Sequence, residues 1–159
     1  NIQTRLRKLD EGQFDGIILA AAGLERLGLR ERIVQYLPVD ISIPSVGQGA
    51  LGIECLDTRQ DIIDLLSGLD HEPTRICVEG ERSVSRLLGG SCTSPLGAYA
   101  RILDNHLEMS AFVAAPNGST CLRVVGRDEI NKSGAMRLSQ KLVNELSALG
   151  ARTLLDAIE

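Results

Sequence analysis

The stretch LGAYARILDNHLEMSAFVAAPNGSTCLRVVG, Leu96 to Gly126, decides the fold. Leu107, Met109, Ala111 and Val113 recur at every second position, the period of a strand with one face buried. Asp104-Asn105 precedes that run and Pro116-Asn117-Gly118 follows it, and both are hairpin signals. Three antiparallel strands are therefore expected, over 96–103, 107–114 and 120–126. Just upstream, EPTRICVEGERSVSRLL (72–88) places Cys77, Glu81, Val84 and Leu88 on one helical face, with Pro73 in the first turn and Gly89-Gly90 as the stop. Downstream, 133–149 carries Met136, Leu142, Val143, Leu146 and Leu149 as an apolar stripe, and Gly150 ends it. Helix, three strands and helix make a complete α+β module, assigned to 70–159.

Residues 1–69 read differently. A short helix is expected from Thr4, its cap, to Gly12. FDGIILAAA, Phe14 to Ala22, is a continuous apolar run with a β-branched centre, which predicts a buried strand. A helical turn or two follows over 23–28. It lies at the carboxyl end of that strand, where open α/β sheets bind ligands, and it carries Arg26. Ile41-Ser-Ile43 predicts a short strand closed by Pro44.

VGQGALGIEC, 46–55, has the G-x-G-x-x-G spacing of a dinucleotide loop at Gly47, Gly49 and Gly52. That fingerprint needs a strand running into it and a helix opening inside it. Here Pro44 interrupts the approach, and Leu51, Ile53 and Cys55 alternate with Gly52 and Glu54. The segment therefore predicts a strand whose glycines admit close approach of backbone or ligand. A helix over 57–66 follows. These strands are too few to complete a sheet, so their partners are expected in an upstream portion. The start at Asn1 accordingly predicts a fragment, a processed chain or a trimmed one.

Composition narrows the function classes. Among 159 residues the net charge is −4 with no basic run, so no nucleic-acid footprint is expected. No apolar run reaches the roughly 20 residues of a membrane span. Cys55, Cys77, Cys92 and Cys121 are widely spaced without C-x-x-C, which predicts no zinc site, no metal, and free thiols in a reducing, cytoplasmic setting. Cys55, Cys77 and Cys121 are read as packing residues, and His71 and His106 as surface residues. Aromatic residues make up 3% with no Trp, so no stacking platform is indicated. Fourteen Arg against three Lys reflect either surface preference or the need for forks that grip carboxylates.

Two readings are open for Cys92: a small buried residue, or a thiol alkylated once and left as a thioether. A hydrolytic nucleophile is disfavoured, because the preceding helix presents its negative end and no His stands by as base.

RSVSRLLGGSCTSPLGAYA, 82–100, resembles the cofactor-attachment loop of the porphobilinogen deaminase (hydroxymethylbilane synthase) family. There a Cys after a Gly pair is followed by Pro three residues on and by a G-x-Y-A-like strand. The counterparts are Gly89, Gly90, Cys92, Pro95, Gly97, Tyr99 and Ala100, with Ser91 interposed where many members have Cys directly after the glycines. NIQTRLRKLDEGQFDGIILAAAGLERLGL, 1–29, is similar to the family's R-G-N-x-x-T-R-L…D-A-I-I-L-A-x-A-G-L-x-R-L-G-L segment. SVGQGALGIEC is similar to P-x-V-G-Q-G-A-L-G-I-E. The resemblance extends over essentially the whole chain.

The resemblance implies a three-domain enzyme whose first two α/β domains are like the lobes of periplasmic binding proteins. Residues 1–45 would end domain 2, 46–69 would be the crossover strand and helix of domain 1 and the linker, and 70–159 would be domain 3. It implies condensation of four porphobilinogen molecules, with loss of ammonia, on a dipyrromethane cofactor fixed to Cys92 by a thioether. Arg5 and Arg26 would hold carboxylates of cofactor, substrate and oligopyrrole intermediates, while Gly23 and Gln48 would line the cleft. The family's catalytic Asp lies in domain 1. No catalytic residue is therefore assigned here, and the chain without its missing N-terminal part is expected to be inactive. The full enzyme is expected to be a monomer. The alternative is a non-catalytic small-anion-binding module of the same fold.

Overall fold

The computed structural model describes residues 1–91 and 93–157. The chain forms two compact units, Asn1–Pro38 and Val39–Glu159.

In the first unit, α1 spans Ile2–Asp10 and α2 spans Ala21–Arg26. Asn1, not Thr4, caps α1: its side-chain oxygen accepts from Gln3 N at 2.9 Å, so the helix opens three residues earlier than its sequence suggested. Gly12 ends this stretch at φ +71°. The unit buries only Leu6 and Leu24, while Val34 is 100% exposed. Phe14 to Ala22 is not a strand. Residues 16–20 carry no regular structure, and Ala21 and Ala22 belong to α2. An apolar run states a demand for burial, but a strand exists only with ladder partners, and the described residues of this unit contain none.

The second unit is the predicted α+β module with a leading segment. After α3 (Gln60–Ser67), α4 runs over Glu72–Leu88 and ends at Gly89, left-handed at φ +72°. Strands β1 (Leu96–Leu103), β2 (His106–Ala114) and β3 (Cys121–Asp128) form an antiparallel sheet in the order β1-β2-β3. Asp104 and Asn105, at φ 50° and 58°, make the first two-residue hairpin, the left-handed pair that matches strand twist. Asn131 caps α5 (Lys132–Ala148) by accepting from Gly134 N at 2.7 Å, and α6 (Ala151–Asp156) follows.

Register sorts the sheet into two faces. Leu96–Val113–Leu122, Ala98–Ala111–Val124 and Ala100–Met109–Gly126 are cross-strand rows facing α4 and α5, where the core lies. The helices cross at small residues. Gly80 lies against Ala135, and the Ser139 hydroxyl points at both Gly80 O (2.9 Å) and Ala135 O (2.7 Å). Odd positions on β3 face the helix-free side, which is why Cys121 is exposed. Cys55 is exposed too, within a stretch that nothing covers, so only Cys77 of the three thiols read as packing residues is buried.

Residues 41–43 and 51–55 are not strands, again for want of ladder partners among the described residues. The leading segment instead crosses the helix-free face. Arg123 donates to the carbonyls of Val39 and Asp40, and Pro44 O passes where a Cβ on Gly97 would lie 2.6 Å away. Gly97, Phe112 and Arg123 form one row across the three strands, so 39–44 follows that row from β3 to β1.

The same face carries Arg101–Glu108–Arg127. Glu108 Oε1 accepts from Arg101 at 2.7 Å and Oε2 from Arg127 at 2.8 Å. Arg101, seconded by Arg127, holds the Glu108 carboxyl below the ordinary glutamate range. The folded value lies under the unfolded one. The stability it contributes is therefore present above roughly pH 4.3 and is lost as pH falls through the lowered value. Urea midpoints from pH 7 down to 3 should accordingly fall less steeply in Glu108→Gln than in the unsubstituted chain.

Candidate functional site

The segment that ends the traverse builds the first part of the site. Ser45 to Gly49 forms a turn in which Gln48 N donates to Ser45 O at 3.3 Å, and Gly47 and Gly49 both have positive φ, 71° and 84°. The G-Q-G spacing thus serves backbone reversal and not a helix N-terminus. Gln48 is exposed at its tip. Beneath the turn lies Glu81, 4% exposed on the core-facing side of α4. Its Oε2 accepts from Gly47 N at 2.7 Å and its Oε1 from Ala100 N at 2.8 Å. Burial pushes the Glu81 carboxyl up, while the two backbone donors and nearby Arg82 oppose that shift. Burial and the Glu81 charge also push the Cys77 thiol up, which makes it a poor nucleophile. A cavity of about 430 Å³ opens here, lined by Gln48, Thr74, Cys77, Glu81, Tyr99 and Arg101 among others.

The second part is the loop between α4 and β1. Cys92 lies outside the described residues, and its neighbours define the setting. Gly89 N donates to Arg86 O and Gly90 N to Ser85 O, closing the helix. Among the described residues a Cβ on Gly89 would meet nothing within 4 Å, whereas one on Gly90 would strike Leu96 at 2.5 Å and Ser85 Oγ at 2.9 Å. Gly90 is therefore required by packing, and of this pair Gly89 is the one with space beside it among the described residues. Ser91, Thr93 and Ser94 form a hydroxyl cluster, with Ser91 Oγ 3.0 Å from Thr93 Oγ1 and 3.1 Å from Ser94 Oγ. Ser91 N also donates to Ser94 Oγ at 2.9 Å.

The first unit carries the remaining candidates. Gly23 sits in α2 where a Cβ would come within 2.8 Å of Ile2 Cδ1, so its smallness brings α1 and α2 together. Arg5 on α1 and Arg26 in the last turn of α2 are exposed. Neither is paired with a described carboxylate, whereas Arg7 binds Glu11, Arg32 binds Asp10 and Arg30 lies 3.9 Å from Glu25. Within this unit the structure brings together Gly23, Arg26 and the helix that carries Arg5. Gln48 belongs to the second unit, where its neighbour Gly47 donates to Glu81, a residue that helix-face reasoning counts only as part of an apolar stripe. The available signal was a carboxylate in line with Cys77, Val84 and Leu88.

Among the described residues no helix is long and apolar enough to cross a membrane, and no cluster of His, Cys, Asp and Glu could hold a metal ion.

Comparison with known proteins gives matches over nearly the whole chain. Residues 1–64 match the family model described as porphobilinogen deaminase, dipyromethane cofactor binding domain. Residues 75–148 match porphobilinogen deaminase, C-terminal domain. Curated proteins named porphobilinogen deaminase are similar throughout. That of Nitrosomonas europaea is 48% identical over 160 residues, covering 99% of this chain and 51% of the relative. That of Thiobacillus denitrificans is 51% identical over 158 residues, covering 99% and 51%. That of Methylobacillus flagellatus is 51% identical over 158 residues, covering 99% and 50%. The chain spans about half the length of the curated relatives it matches.

Proposed function

The chain belongs to the porphobilinogen deaminase family, and from that premise we propose that it serves as the C-terminal portion of a hydroxymethylbilane synthase. The whole enzyme would condense four porphobilinogen molecules head to tail, with loss of ammonia, and release hydroxymethylbilane for tetrapyrrole synthesis. The observation that carries this reading is the ordered match of two family models, with Arg5, Gly23, Arg26 and Gln48 inside the first and Cys92 inside the second.

When attached, a dipyrromethane supplies the pyrrole carbon to which porphobilinogen units add. Cys92 would hold it as a thioether. The residues present suit such a group. Gly89 leaves room beside the attachment loop, and Arg5 and Arg26 present guanidinium forks that no described carboxylate has taken. Unpaired buried carboxylates are costly, so a polyacid held in a cleft needs such forks. Gly23 and Gln48 would line that cleft. The catalytic carboxylate would come from the N-terminal half, so this chain by itself would turn over no porphobilinogen.

We assign 1–45 to the end of a periplasmic-binding-protein-like lobe, 46–69 to the crossover and linker, and 70–159 to the attachment domain. The uncovered runs at 14–20 and 51–56 fit strands that complete a sheet with an upstream half. The unbridged thiols of Cys55 and Cys121 suit the cytoplasm.

The test is intact mass. The complete protein should exceed its sequence mass by one dipyrromethane, and a bare mass would favour an anion-binding module of the same fold. In that complete protein, Arg5→Leu or Arg26→Leu should each weaken porphobilinogen binding by about 1.5–3 kcal/mol, the worth of a charged hydrogen bond. Steady-state kinetics on porphobilinogen read this, and unchanged constants would count against the assignment.

A further inference from the structure

We infer that Glu81 is a positioning residue whose carboxylate pins the Ser45–Gly49 turn to the free edge of the sheet and thereby sets where Gln48 stands. β1 is an edge strand, and edge amides need an acceptor or they invite foreign pairing. Ala114 N donates to Pro95 O, so alternation along the ladder turns the amides of Leu96, Ala98, Ala100 and Ile102 away from β2. The Ala100 amide finds Glu81 Oε1, and the other oxygen of the same carboxylate takes Gly47 N.

One side chain thus joins three segments: α4, the edge of β1, and a turn 34 residues earlier in the chain. Gly47 is left-handed at φ +71°, and a Cβ there would lie 3.7 Å from Arg82 Nε and 3.8 Å from Val78 Cγ1. The turn therefore rests directly on α4. A carboxylate suits this because both of its oxygens accept, whereas an amide side chain puts an NH2, which only donates, in place of one of them. Its place in a buried site, with charge-assisted bonds to two backbone amides, makes the joint stiff. The groups around it are Cys77 and Arg82 on α4; the flanking Tyr99 and Arg101 of β1 alternate onto the helix-free face, where Arg101 binds Glu108, and the turn 45–49 contributes no ionisable side chain.

The consequence for Gln48 rests on the proposed reading that Gln48 lines a pyrrole cleft, and the tests separate the two. On this chain, amide NMR should show the Gly47 and Ala100 protons titrating together with one midpoint, a signature that independent packing of the two segments would not give. In Glu81→Gln that shared titration should vanish. Hydrogen exchange at Gly47 or Ala100 should then rise at least about tenfold, the equivalent of one lost charged hydrogen bond, while the amides of β2 stay protected. Glu81→Asp, which keeps two acceptors on a shorter stem, should restore part of the protection. Separate midpoints in the unsubstituted chain, or unchanged exchange in Glu81→Gln, would overturn the inference. In the complete protein, Glu81→Gln should raise KM for porphobilinogen more than it lowers kcat. If the coupled amides are seen but KM is unmoved, the clamp stands and the role given to Gln48 fails.

Discussion

Cys92→Ser should strip the complete protein of its covalently held pyrrole mass and bring porphobilinogen turnover to background, with the fold intact. The attachment loop already holds three hydroxyls, on Ser91, Thr93 and Ser94, hydrogen-bonded to one another or to backbone. A fourth hydroxyl adds no chemistry the loop lacks. A thiol reaches its nucleophilic thiolate form near neutral pH far more readily than an alcohol is deprotonated. The bonds that close α4 come from Gly89 and Gly90, and the ladder begins at Pro95, so neither needs the sulfur. Intact mass and a urea titration of the same sample separate lost attachment from lost fold. An adduct that persists in Cys92→Ser, or that is absent from the active unsubstituted protein, would falsify the thioether assignment.

Leu142→Ala should cost about 2–5 kcal/mol of the chain's stability, toward the upper end of that range. Leu142 is fully buried on α5. Its Cδ2 would lie 3.3 Å from a Cβ on Gly126, so it fills the space that this glycine leaves on β3. The gap cannot close by collapse, because sheet backbone bounds it on one side and the α4–α5 crossing fixes the helix on the other. Against a typical total of roughly 5–15 kcal/mol, the loss would take a large share. Leu149→Ala is the control: that side chain is exposed just past the end of α5, and its removal should change the unfolding free energy from a urea titration by no more than about 0.5 kcal/mol. Similar costs for the two would contradict the assigned core.

The contrast between these two leucines shows what the sequence disclosed. Period and turn residues located α4, the three strands and α5, since each of those signals is local and its partners lie within the same hundred residues. Leu149 fell into the predicted stripe because helical period does not announce the last turn. The run Phe14–Ala22 and the alternation at 51–55 carry the pattern of strands, yet hydrophobicity records the need for cover and not its source. Both segments lack ladder partners among the described residues. Of the site, the Gly89-Gly90 stop was legible, but that the space beside Gly90 is filled by Leu96, six residues on across the attachment loop, was not. Glu81 was visible only as an anomaly, a charge inside an apolar face. Its two donors are 34 residues before it and 19 after, beyond the reach of local pattern.

The traverse of 39–44 across the helix-free face has a bearing on biosynthesis. Its docking row takes one residue from each of three strands, the last being Arg123, which lies 83 residues after the Asp40 carbonyl it binds. At roughly 5–20 residues per second on the ribosome, that carbonyl waits on the order of ten seconds for its guanidinium to emerge. Throughout that delay the 39–44 segment lacks the row of the sheet on which it docks.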